Sequence, residues 1–109
     1  ISKMNNKLEK YADELINETL DFIKENINWK ITEHDLLQFI NGKIQMNNFD
    51  LNVKNNVSFE ENIRDKNYFP NPENSKIIRK KGKIKFELYL SEKETKSVHI
   101  IKEIMIENL

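Results

Sequence analysis

The stretch from Met4 to Ile27 repeats apolar side chains at intervals of three and four: Leu8, Tyr11 with Ala12, Leu15 with Ile16, Leu20, Phe22 with Ile23, and Ile27. That spacing keeps returning to one side of a helix with 3.6 residues per turn, while Lys7, Glu14, Glu18, Asp21 and Lys24 fall elsewhere. A long amphipathic helix is predicted, ended at Asn26-Ile27-Asn28, with Trp29 folding back onto the core. Further along, Ile84, Phe86, Leu88 and Leu90 alternate with Lys83, Lys85, Glu87 and Tyr89. Period two is the mark of a strand with one apolar face. A chain of 109 residues that holds both periods is expected to fold as α+β. Its length suits a single domain, residues 1–109, with one core. Residues 1–3 precede Met4 and are read as extraneous to the native sequence.

Between these two elements the signals are shorter. Thr32, with Asp35 three residues on, is an N-cap followed by Leu36, Leu37, Phe39 and Ile40, and Asn41-Gly42 suits a left-handed stop. A second helix over residues 32–41 follows. Phe49, Leu51, Val53 and Val57 share one parity, which reads as a strand or extended segment with a turn at Asn55-Asn56. Ser58 and Glu61 repeat the capping pattern, so a short third helix is predicted to about Tyr68. Phe69-Pro70-Asn71-Pro72 then makes a loop. Gly82 is the natural left-handed residue of a hairpin turn, Lys80-Lys81-Gly82, that would set Ile78 opposite Ile84. In residues 97–109, helical phasing leaves only Ile106 off the apolar arc. A strand there would turn Lys102 inward and Ile101 and Met105 outward, so helix is favoured and strand is the alternative.

The charge is segregated. Residues 76–85 (KIIRKKGKIK) carry six of the eighteen basic side chains and no acid, in a chain whose net charge is zero. Such a chain offers a local docking site for an anion or polyanion rather than sticking everywhere. In the predicted hairpin Arg79, Lys83 and Lys85 face solvent together, and Lys80 and Lys81 project from the tip. The competing reading is a solvated turn whose lysines keep an edge strand from aggregating.

Several chemistries are excluded. With no cysteine there is no disulfide framework, thiolate nucleophile or cysteine-based metal site. No glycine-rich phosphate loop, supported Ser-His-Asp set or isolated pair of carboxylates is present, so no enzyme activity, catalytic residue or cofactor is expected. His34 beside Glu33 and Asp35, with His99 far off in sequence, does not make a metal set. No apolar run approaches the ~20 residues needed to span a bilayer, and no apolar core follows a basic stretch at the N-terminus. A cytoplasmic protein is expected.

The order of helix, helix, short helix, basic hairpin and C-terminal element resembles a winged helix-turn-helix DNA-binding domain. The residues that carry the resemblance are 32–41 as first helix of the motif, 58–68 as recognition helix, and Ile77-Ile78-Arg79-Lys80-Lys81-Gly82-Lys83-Ile84-Lys85-Phe86-Glu87-Leu88-Tyr89-Leu90 as wing and flanking strands. Size, layout and AT-rich codon bias are also similar to the relaxosome accessory proteins of Gram-positive conjugative plasmids. In the winged family a helix enters the major groove and the wing lies on the phosphate backbone or minor groove. The resemblance therefore implies double-stranded DNA as partner, together with other DNA-processing proteins. Lys76, Arg79, Lys80, Lys81, Lys83 and Lys85 would meet phosphates, and Asn62, Arg64, Lys66 and Asn67 would meet bases, with Glu60, Glu61 and Asp65 opposing. It also implies a homodimer on DNA, joined through the first helix or through the arc of Val98, Ile101, Ile104 and Met105. The alternative is a protein-binding module such as an immunity protein, antitoxin or phage-encoded inhibitor.

Overall fold

The computed structural model describes residues 2–93 and 96–107, so Ile1, expected to be extraneous, lies outside the described residues. Two helices, α1 (Ser2–Asn26) and α2 (Glu33–Met46), precede three strands, β1 (Asn56–Phe59), β2 (Gly82–Glu92) and β3 (Lys96–Ile106). The fold is α+β. The strands form one antiparallel sheet in the order β1-β2-β3. Both helices lie on one face, α1 over β2 and β3 and α2 over β1. No helix among the described residues is long and apolar enough to cross a membrane.

The periodic segments fold as their spacing dictates. Leu8, Ala12, Leu15, Ile16 and Ile23 of α1 are buried, and Ile84, Phe86, Leu88 and Leu90 of β2 meet them from the sheet. Thr19, within the buried stripe, donates its hydroxyl to Leu15 O at 2.7 Å, so it enters the core without an unpaired polar group. The α2 cap is a complete capping box: Asp35 N donates to Thr32 Oγ1 at 3.2 Å and Thr32 N to Asp35 Oδ2 at 2.9 Å.

Five expectations are corrected. First, α2 does not stop at Asn41-Gly42. Ile44 continues the stripe of Leu36, Leu37 and Ile40 into the core, and Tyr11 Oη donates to Lys43 O. Packing overrides the stop signal. Second, Trp29 is 77% exposed in the 3-10 turn Ile27–Trp29, beyond the reach of the core. Third, residues 43–57 are not one strand: α2 runs on to Met46, Leu51 and Val53 are exposed, the turn lies earlier with Asn55 N donating to Asn52 O, and apart from an isolated bridge of Asp50 to Ser91 the pairing with β2 begins at Asn56. Asn55 is buried and accepts Tyr89 N at 2.7 Å, extending the ladder by a side chain.

Fourth, residues 58–68 are not a recognition helix. Ser58 and Phe59 pair with Lys85 and Ile84 in the sheet, Glu60 turns into the left-handed region (φ 56°), and only a five-residue 3-10 turn, Glu60–Arg64, follows. Fifth, the basic segment is not a hairpin. Residues 76–78 run beside the start of α2, with Ile78 N donating to Ile31 O at 2.8 Å and Glu33 N to Lys76 O at 2.9 Å, and β2 hairpins with β3 instead. The C-terminal segment is therefore strand and not the favoured helix. Lys102, opposite Phe86, turns to the helix side and reaches Asp13 of α1 at 3.7 Å. A long aliphatic stem lets a lysine occupy such a position while its ammonium reaches water. Gly82 makes no turn: a Cβ there would stand 2.5 Å from Phe59 Cζ, so glycine lets the Phe59 ring close onto the start of β2.

Candidate nucleic-acid interface

Glu33 organises the junction on which the basic segment rests. It is the first residue of α2 and fully buried. Its carboxylate accepts Phe59 N at 2.6 Å, Lys76 N at 2.7 Å, Asn62 Nδ2 at 3.3 Å and the Tyr68 hydroxyl. A buried carboxylate is costly unless it is paired and hydrogen-bonded. Here four donors from three separated segments converge on it, and the N-terminus of α2 adds a favourable dipole. Burial, and then the hydrogen bond to Glu33, pushes the Tyr68 hydroxyl well above its ordinary pKa. Tyr68 therefore stays a neutral donor. Sequence spacing had marked Glu33 only as a neighbour of His34; nothing local could show that donors from positions 59, 62, 68 and 76 meet there.

On this base the predicted site residues divide into two groups. Lys76 Nζ sits 2.7 Å from Glu61, and its hydrogen bond holds the Glu61 carboxyl below the usual range. Lys83, on β2, lies 3.4 Å from Glu103 of β3. Asn62 is committed to Glu33, and Asn67 N donates to Asp65 Oδ1 at 2.9 Å in a local turn. Arg79, Lys80 and Lys81 are exposed in the bend before β2, and none of the ion pairs among the described residues involves them. Arg64 and Lys66 are likewise exposed.

The structure brings together cations that the sequence had placed on different elements. The sheet face away from the helices is open, and the 3-10 turn Glu60–Arg64 borders it. A groove of about 550 Å³ at this border is lined by Glu60, Glu61, Ile63, Arg64, Lys83, Glu103 and Met105. A smaller recess beside it, sharing Ile63, is walled by Lys66 and Lys85 together with Asn56, Ser58, Asp65, Tyr68 and Glu87. Arg64 thus shares the groove with Lys83, and Lys66 shares the recess with Lys85. Arg79 lies near enough to Glu61 to favour its ionised form, which joins the exposed bend to the same corner. The groove and recess hold four cations against five carboxylates, Glu60, Glu61, Asp65, Glu87 and Glu103, and the excess of positive charge comes from Arg79, Lys80 and Lys81 of the bend.

Farther along the open face is a cluster that local reading missed. Tyr89 and His99, opposite one another on β2 and β3, stack with centroids 4.0 Å apart. The Tyr89 hydroxyl donates to Glu87 Oε2 at 3.0 Å, and His99 Nε2 lies 2.8 Å from the same oxygen. Burial pushes the Glu87 carboxyl up, but the hydrogen bonds from His99 and Tyr89 outweigh it and leave the group below its ordinary range. Strand parity, carried one strand further, is the signal that could have found this cluster.

No protein-family model, curated protein or solved structure matches this chain.

Proposed function

We propose that this chain is a non-enzymatic DNA-binding domain whose cationic corner grips the phosphate backbone of duplex DNA. The observation that carries the reading is the meeting of Arg64 and Lys66 with Lys83 and Lys85 along one groove and recess, next to the exposed Arg79, Lys80 and Lys81. In a winged-helix-like layout, β2 and its leading bend do the work of the wing. The 3-10 turn stands where a recognition helix would be, so phosphate contacts dominate and base reading is slight. With Lys76 and Lys83 already facing carboxylates, roughly three to five cations per chain reach phosphates, giving a log–log salt slope of about −3 to −5. Titration of a random-sequence duplex across a salt series, followed by fluorescence anisotropy, measures it; a slope near zero, or no binding at low salt, overturns the reading.

A second reading has its own support. Met105 and Ile101 are about half exposed on the open face, and the groove beside Met105 mixes both charge signs. A protein partner would use such a surface, in the manner of an immunity protein or antitoxin. Retention on heparin that salt abolishes favours DNA; indifference to heparin favours the protein partner.

A further inference from the structure

The outer edge of β3 is free among the described residues: β3 pairs with β2 alone, along its whole length from Lys96 to Ile106. Every second residue therefore aims its N–H and C=O away from the sheet. Edges of this kind template further pairing unless they are short or blunted by proline, bulges or inward charges. This one is eleven residues long, Lys-Ser-Val-His-Ile-Ile-Lys-Glu-Ile-Met-Ile, without proline or glycine. Lys102 is an inward charge of that kind.

We infer that β3 is the seam of a homodimer in which two copies pair antiparallel about a two-fold axis at Ile101, making one continuous six-stranded sheet. The register follows from charge. With Ile101 opposite its own copy, His99 faces Glu103 of the second copy and Glu103 faces its His99. Within each chain His99 already sits 2.8 Å from Glu87 and Glu103 sits 3.4 Å from Lys83. Pairing thus sets the Lys83–Glu103 pair of one copy beside His99 and Glu87 of the other, with no like charges directly opposed. The half-exposed Ile101 side chains meet at the centre. Other registers lose this: centring on Lys102 or Glu103 sets like charges face to face, centring on His99 sets the imidazoles against each other, and centring on Ile100 opposes Ile101 to His99 and Glu103 to Ser97. On the DNA reading proposed above, strand spacings put the two Lys83 residues roughly 30 Å apart, close to the ~34 Å of one duplex turn. The dimer itself does not depend on that reading.

The absence of cysteine makes the register directly testable without DNA. Directly opposed residues of antiparallel strands have Cα atoms ~4.5–5.5 Å apart, within the ~4.4–6.8 Å that a disulfide spans. Oxidation of the Ile101→Cys variant should give a covalent dimer at least tenfold faster than Ser97→Cys or Met105→Cys, which face one another rather than themselves. The doubly substituted Ser97→Cys/Met105→Cys chain should crosslink readily. Circular dichroism checks that each variant is folded, and sedimentation equilibrium of the parent chain should show a concentration-dependent dimer. Equal crosslinking rates at 101 and 105, or a parent chain that stays monomeric up to about 1 mM, would overturn the proposal.

Discussion

The Glu33 junction and the bend at residues 79–81 each place strong charge, and they do so in opposite ways. Glu33 is fully buried and meets four donors, so its charge is consumed in holding the loop from β1 to β2 against α2. The bend leaves Arg79, Lys80 and Lys81 in water without ion pairs among the described residues. A saturated charge reports architecture, because any ligand would have to displace its partners. Exposed like charges, held together at a cost in repulsion, remain available for something outside the chain.

The largest effect that can test this contrast is the loss of Glu33. Glu33→Ala leaves Phe59 N, Lys76 N and Asn62 without this acceptor, and each buried donor left unsatisfied costs about 1–3 kcal/mol. Urea unfolding should show it as a shifted midpoint, and a loss below about 1 kcal/mol would mean the junction is not what holds the loop.

Asn62 probes the boundary between the two behaviours. As a base reader it would alter sequence preference and leave stability alone. As a Glu33 ligand, Asn62→Ala should lower stability by about 1 kcal/mol and leave the ranking of duplex sequences unchanged. Thermal unfolding and competition binding on the same preparation separate these results.

The smallest effect concerns pH. The Glu87 carboxyl is depressed in the folded chain, so the unfolded chain takes up its proton first as the pH falls. Its contribution is present above the ordinary Glu value of ~4.3 and disappears as the pH drops through the lower folded value. Glu87→Gln should flatten the acid side of the stability profile, below the ordinary Glu value of ~4.3, relative to the parent. Parallel profiles for the two chains would show that the His99 and Tyr89 contacts add nothing.

The elements that were legible in the sequence are those whose signal is local. Leu8, Leu15, Ile16 and Ile23 declare α1 by spacing, Thr32 and Asp35 declare the α2 start, and Ile84 to Leu90 declare β2 by parity. What was not legible depends on residues far apart in the chain. Ser58 and Glu61 have the spacing of a capping box, yet Ser58 belongs to a strand because Lys85 lies beside it and Phe59 N has Glu33 to bond. Residues 76–78 have the pattern of a hairpin with Ile84, yet their backbone groups pair with residues 31–33. In the C-terminal segment an inward Lys102 argues locally against a strand, and an edge strand with Asp13 of α1 within reach accommodates it. Of the candidate site, the exposure of residues 79–81 is legible in their composition, but their place in a bend and not at a hairpin tip is not. The recess that adds Lys66 to Lys85 exists only once β1 has paired with β2.

The most direct measurement is a paired one on the triple variant Arg79→Ala/Lys80→Ala/Lys81→Ala, comparing unfolding free energy and duplex affinity with the parent. Stability should stay within ~0.5 kcal/mol, as for surface changes away from packed features. Affinity should fall for every duplex sequence alike, and the salt slope should shrink by about 2 to 3. A variant that binds duplex DNA as tightly as the parent, with an unchanged slope, would contradict the assignment of these cations to a polyanion.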